Sequence, residues 1–172
     1  MSEQPPGSKQ PLDAGRAAIV VRDLWMTFLD PHGGEIRVLE RINLEVRRGE
    51  FVCLVGPSGC GKTTLLNIIG GFLTASRGEV LVDDQPVRGP DPRRIFIFQE
   101  GGIFPWLTVR DNVAFGLANR KGDERKRIVA HYLEMVGLTG FEKAYPRELS
   151  GGMRQRVEIA RALAADPEAI YM

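Results

Sequence analysis

At 172 residues the chain is about one domain long, and 43% hydrophobic residues are enough for a packed core. Its charges nearly cancel at +1, so bulk electrostatics give no reason to expect a nucleic-acid partner. No apolar run approaches the roughly 18 residues that a membrane span needs, and the N-terminus lacks the charged-then-apolar pattern of a secretion signal.

Residues 1–16 are rich in Pro, Gly and polar side chains and read as a disordered arm. Order is expected from Ala17, with Ile19, Val20 and Val21 opening a strand and a turn at Asp30-Pro31-His32-Gly33-Gly34. Ile42, Leu44 and Val46 alternate with polar residues, as in a half-exposed strand. The unbroken apolar run 51–55 predicts a strand buried on both faces of a parallel sheet. A helix should follow over 62–70, burying Leu65, Leu66, Ile68 and Ile69. Residues 79–88, turning at Asp83-Asp84, suggest a hairpin, and Ile95-Phe96-Ile97-Phe98 another apolar strand ending at Gln99.

The texture then becomes helical. Thr108 and Asp111 resemble a capping box ahead of Val113 and Leu117. Ile128, Val129, Tyr132, Leu133 and Val136 recur at helical spacing, and Gly137 is placed to end that helix. A last helix is expected over 151–165, then a strand at Ala169-Ile170-Tyr171-Met172. His131 falls on the polar side of its helix and His32 in a turn, so both read as solvated. Cys53 and Cys60, the only cysteines, are too few for a disulfide framework or a metal site and read as reduced thiols.

Two segments carry chemistry. Gly56-Pro57-Ser58-Gly59-Cys60-Gly61-Lys62-Thr63 fits G-x-x-x-x-G-K-[ST], between an expected strand and an expected helix. Such a loop aims backbone N–H groups at nucleotide phosphates, with the helix N-terminus behind them. Lys62 can reach the β- and γ-phosphates, Thr63 can offer its hydroxyl to Mg²⁺, and Thr64 is a further candidate phosphate contact. In Leu149-Ser150-Gly151-Gly152-Met153, a serine able to cap a helix stands before two glycines whose N–H groups are uncovered, a second anion-attracting helix start.

With these two motifs and Gln99 between them, the sequence from about Ala17 to Met172 resembles the ATP-binding subunits of ABC transporters. Leu149 to Met153 look like the family's signature, with Met153 where Gln is commoner; Gln99 matches its Q-loop, and Phe28, after the first strand, the aromatic that stacks on adenine. The resemblance implies an α/β fold: a P-loop NTPase core (a RecA-like parallel sheet plus an antiparallel β subdomain) with a helical subdomain inserted at about 100–150. It implies ATP and Mg²⁺ as ligands, with Lys62 and Gln99 as catalytic residues and Thr63 and Gln99 at the metal. It further implies a homodimer in which each signature faces the γ-phosphate held by the other copy.

The stretch from Gln99 through Phe104-Pro105-Trp106 looks like the Q-loop region of importers for nitrate, sulfonates and taurine. Exposed aromatics there suggest a docking surface for a membrane permease, although Phe104 and Trp106 could instead pack inward. A periplasmic binding protein would act indirectly by choosing the cargo, and the subunit would sit on the cytoplasmic face of the cell membrane. In the family, a strand like Ala169–Met172 leads into an Asp and a Glu that serve the metal and the attacking water, with a histidine farther on; the sequence stops at Met172, before all three. The expectation is therefore a fold incomplete at its C-terminus, holding ATP but hydrolysing it poorly or not at all. A degenerate nucleotide-binding module and a soluble ABC-type ATPase of DNA repair or translation are the alternatives.

Overall fold

The computed structural model describes residues 17–98 and 102–172, in two compact units divided at Pro90/Asp91. The proposed arm at 1–16 and the site residue Gln99 lie outside the described residues.

The first unit is built on a four-stranded antiparallel sheet, in the order β2-β1-β3-β4. Strands β1 (Ala17–Leu29) and β2 (Glu35–Arg47) form a long hairpin. At its turn Asp30 Oδ1 accepts the N–H groups of His32 at 2.7 Å and Gly34 at 2.8 Å. Ile19 and Val21 are buried on one face of β1; the next buried residues, Leu24 and Met26, resume three residues after Val21, one out of step with the alternation. A bulge resets the alternation. Asp23 has φ +42, and the pairing with both neighbouring strands shifts beside it. One extra residue is thereby absorbed and the apolar face stays continuous. In β2 the alternating Ile42, Leu44 and Val46 are half-buried, as expected.

Helix α1 (Lys62–Gly70) buries Leu65, Ile68 and Ile69. It stops at Gly71, whose φ of +84 is left-handed and whose N–H bonds to the Ile68 carbonyl at 3.0 Å. The chain returns as β3 (Arg77–Val82), turns through Asp83 and Asp84 with φ +49 and +60, and pairs briefly as β4 (Gln85–Pro86). Two successive positive φ values match the twist of a tight hairpin.

One expected strand does not form. Residues 51–55 have no regular structure, and Phe51 and Val55 are 89% and 90% exposed. A buried parallel strand needs a hydrogen-bonded neighbour on each edge, and no strand among the described residues pairs with this run. Cys53 is correspondingly exposed.

In the second unit β5 (Arg94–Phe96) pairs in parallel with β6 (Ala169–Tyr171), one residue earlier and shorter than the apolar run suggested; Phe98 is 54% exposed. This pair is the parallel sheet among the described residues. Helices α2 (Val109–Ala114), α3 (Gly122–Met135) and α4 (Gly151–Ala164) enclose a core of Val109, Val113, Leu117, Val129, Leu133 and Val157. Gly137 ends α3 as expected, with the Leu138 N–H returning to the Leu133 carbonyl at 2.8 Å. His131 is exposed.

At Gly71 a Cβ would stand 2.3 Å from the backbone of Gly89, in a left-handed conformation besides. Gly71→Ala is therefore expected to cost about 2 kcal/mol or more, read as a lowered midpoint in urea unfolding with an unchanged slope.

Candidate functional site

The glycine loop 56–61 is exposed apart from Gly61, which is buried. Gly61 is the N-cap of α1 with φ +93, and a Cβ there would lie 2.8 Å from Leu39 Cδ2 and 2.9 Å from the Val38 carbonyl oxygen. Only glycine combines that φ with so close an approach to β2. The Lys62 ammonium folds back over the loop, donating to the carbonyls of Gly56 at 2.8 Å and Pro57 at 2.7 Å, with Cys60 Sγ at 3.6 Å. A positive charge is thus held over the same turn whose helix presents its unpaired N–H groups. Thr63 is exposed in the first turn of α1 and Thr64 is half-buried.

Phe28 lies within β1, not after it, because that strand runs on to Leu29. It pairs with Ile36 of β2 and is 37% exposed. Its ring therefore sits at the turn end of the hairpin beside the exposed Leu29 and Ile36.

The signature belongs to the second unit. A short 3-10 turn at Pro146–Glu148 leads into it, fastened by the Tyr145 N–H donating to Glu148 Oε2 at 2.6 Å. Leu149 is buried, and Ser150 caps α4 with its Oγ accepting the Met153 N–H at 3.2 Å. That bond leaves the earlier N–H groups of Gly151 and Gly152, both exposed, without side chains over them. Arg154 Nη1 donates to the Leu149 carbonyl at 2.7 Å, placing a cation beside this helix start.

The four helix starts differ in charge. Helices α2 and α3 carry acids in their first turns, Asp111 and Asp123 with Glu124, whereas α1 and α4 carry none. Carboxylates in a first turn already answer the helix dipole and repel a second anion. Among the α-helices of the described residues, the two that bear the motifs leave that positive end free of acids.

Between the motifs, the loop 102–108 is fixed by two buried polar residues that the sequence reading passed over. Asn112, fully buried on α2, accepts the Phe104 N–H at 2.8 Å and donates to the carbonyls of Phe104, Leu107 and Thr108 at 3.0–3.1 Å. Glu158, buried on α4, accepts the N–H of Gly102 through Oε1. Asn112 carried some signal, a polar side chain beside Val109 and Val113 on α2, whereas Glu158 stands among Arg154, Gln155 and Arg161 on its helix and carried none. The aromatics of this loop differ in burial. Phe104 is half-buried, its ring 4.4 Å from that of Phe115 and 5.1 Å from the Arg161 guanidinium carbon. Trp106 is 69% exposed and Pro105 is exposed.

At the start of α2 the Thr108 hydroxyl donates to Asp111 Oδ2 at 2.6 Å and accepts the Asp111 N–H at 3.2 Å. The Thr108 bond, helped by Arg110, holds the Asp111 carboxyl below its ordinary value. A depressed folded value means that this contribution to stability is complete above the unfolded carboxyl range near pH ~4 and is lost as the pH falls through the lower folded value. Thr108→Ala should flatten the acid limb of the stability–pH curve, measured by urea unfolding between neutral pH and pH ~3. Asn112→Ala strands several buried backbone groups and should cost about 3 kcal/mol, read in the same experiment at neutral pH.

Residues 39–172 match the protein family described as ABC transporter. The chain is 47% identical over 154 residues to the nitrate import ATP-binding protein of a Synechocystis species, covering 88% of this chain and 58% of that one. It is 44% identical over 155 residues to the taurine import ATP-binding protein of Roseobacter denitrificans, again covering 88% and 58%. The chain thus spans a little over half the length of these relatives. Among solved structures, a dimeric post-hydrolysis state of an ATP-binding cassette bound to ADP and Pi superimposes with a TM-score of 0.78 at 35% identity, over 88% of this chain and 72% of that one. The fold is that of the ATP-binding cassettes, and the chain belongs to the ABC transporter family.

Proposed function

We propose that this chain is the ATP-binding, energy-coupling part of an ABC importer for a small anion such as nitrate, a sulfonate or taurine. The observation that carries the reading is the pair of acid-free helix starts, one beneath Lys62 and one behind Ser150. Each suits a phosphate, and the relatives named for nitrate and taurine import support the branch.

In this reading residues 17–172 form one nucleotide-binding domain with a helical insert at about 100–150. The N–H groups of the loop from Gly56 through Pro57, Ser58, Gly59, Cys60 and Gly61 bind the phosphates. Lys62 exchanges its two carbonyl partners for phosphate oxygens and carries the charge that hydrolysis develops. Thr64 adds a hydroxyl contact, and Phe28 stacks on adenine with its open ring face. No group of three or more His, Cys, Asp or Glu able to hold a metal occurs among the described residues. Mg²⁺ fits this donor set, since it is commonly held by substrate phosphates and few protein ligands; Thr63 would supply its hydroxyl and Gln99 its amide oxygen. When bound, the ion neutralises phosphate charge.

The start of α4, Leu149 to Met153, faces the γ-phosphate held by a second copy, so the working unit is a homodimer enclosing two ATP molecules. Dimeric cassette structures support that assembly. A permease docks on Phe104, Pro105 and Trp106 from the membrane, so the subunit works at the cytoplasmic face. A periplasmic binding protein and the permease select the cargo. No helix among the described residues is long and apolar enough to cross a membrane.

The test is co-expression with the permease. Trp106→Ala should weaken co-purification while leaving ATP binding intact. Lys62→Ala should lower ATP hydrolysis by about 100-fold. Hydrolysis insensitive to Lys62→Ala would refute the site, and a subunit that never associates with a permease would refute the transport role.

A further inference from the structure

Helix α4 begins at the signature and, two turns later, grips the loop that carries the aromatics. Glu158 accepts the Gly102 N–H, and Arg161, one turn farther along the same face, lays its guanidinium over the Phe104 ring. The fit leaves no slack: a Cβ on Gly102 would stand 3.2 Å from both Glu158 Oε1 and Arg161 Nη2. Asn112 fastens the other side of the loop to α2. Ser150 and Glu158 are about 12 Å apart along one unbroken helix.

We propose that Glu158 is a positioning residue that ties the loop 102–106 to the signature helix, making the two a single lever between permease and nucleotide. A push on Trp106 reaches the N–H groups of Gly151 and Gly152 because loop and helix cannot slide past one another. The bond is charge-assisted and buried, and so resists a lateral load better than a neutral contact at the surface. Glu158 also faces Arg161, whose guanidinium is pushed down by burial and supported by that carboxylate. Arg161 Nη1 is buried and has no hydrogen-bond partner among the described residues, and the Glu158 carboxylate and the Phe104 ring both face this cation. Neither residue need touch ATP or permease; the carboxylate acts through Gly102.

The inference rests on the importer reading, and the experiment separates the two. The ATP-binding subunit is reconstituted with its permease in lipid vesicles, and ATP turnover is measured with and without the permease. In Glu158→Ala the stimulation by the permease should fall about tenfold, the loss expected for one charge-assisted hydrogen bond. The KM for ATP and the turnover of the isolated subunit should stay at wild-type values. Glu158→Gln keeps an acceptor oxygen and loses the charge, so its stimulation should fall only about threefold. This graded order, at an unchanged melting temperature for Glu158→Gln, is not produced by a merely structural defect. Wild-type stimulation in Glu158→Gln would overturn the coupling role even if Glu158→Ala fails to fold. A wild-type subunit whose hydrolysis ignores the permease would overturn the importer reading, and the coupling role with it.

Discussion

An α-helix leaves its first N–H groups without intrahelical partners, and the candidate site depends on which helices leave them open. Most helices answer that deficit with their own side chains. Here α2 uses Thr108 and Asp111, and α3 places Asp123 and Glu124 in its first turn. Helix α1 starts on a glycine with no side-chain cap, and α4 uses a neutral serine that bonds only at Met153. Among the described residues, α1 thereby forgoes a side-chain cap and α4 an acidic first turn. Both are the starts that match nucleotide motifs.

The supporting framework follows from that exposure. An open helix end is useful only if it is held in place, so the restraint lies elsewhere along each helix. For α1 it is the packing of Leu65, Ile68 and Ile69 and the stop at Gly71 against Gly89. For α4 it is Val157 and Ala160 in the core, with Glu158 and Arg161 on the neighbouring loop. Asn112 repeats the device on α2, where one buried amide replaces a segment of secondary structure by satisfying backbone groups directly.

What was legible in the sequence was local. Helix α1 has the expected bounds, the Ser150 and Thr108 caps form, and Gly137 ends α3, because caps and periodicity act within one or two turns. Strand pairing is not local. The run 51–55 has strand composition, yet composition cannot say whether a neighbour stands on either edge, and among the described residues none pairs with it. The bulge at Asp23 was hidden for a related reason: apolar alternation slips by one residue there, and only the register with both neighbouring strands explains the slip. Asn112 and Glu158 look like ordinary polar residues until the loop they hold is known. Even the aromatic stretch gave its composition but not its division into a half-buried Phe104 and an exposed Trp106.

The resting position of Lys62 has a consequence for selectivity. Its ammonium already has two carbonyl partners, at 2.8 and 2.7 Å. An anion that draws it away must replace both bonds as well as shed its own water. A small monoanion brings one charge to that exchange, and a polyphosphate brings several, spread over oxygens that the loop can also bind. In the proposed reading, the folded-back lysine thus sets a threshold on charge that a simple monoanion meets less readily than a phosphate chain.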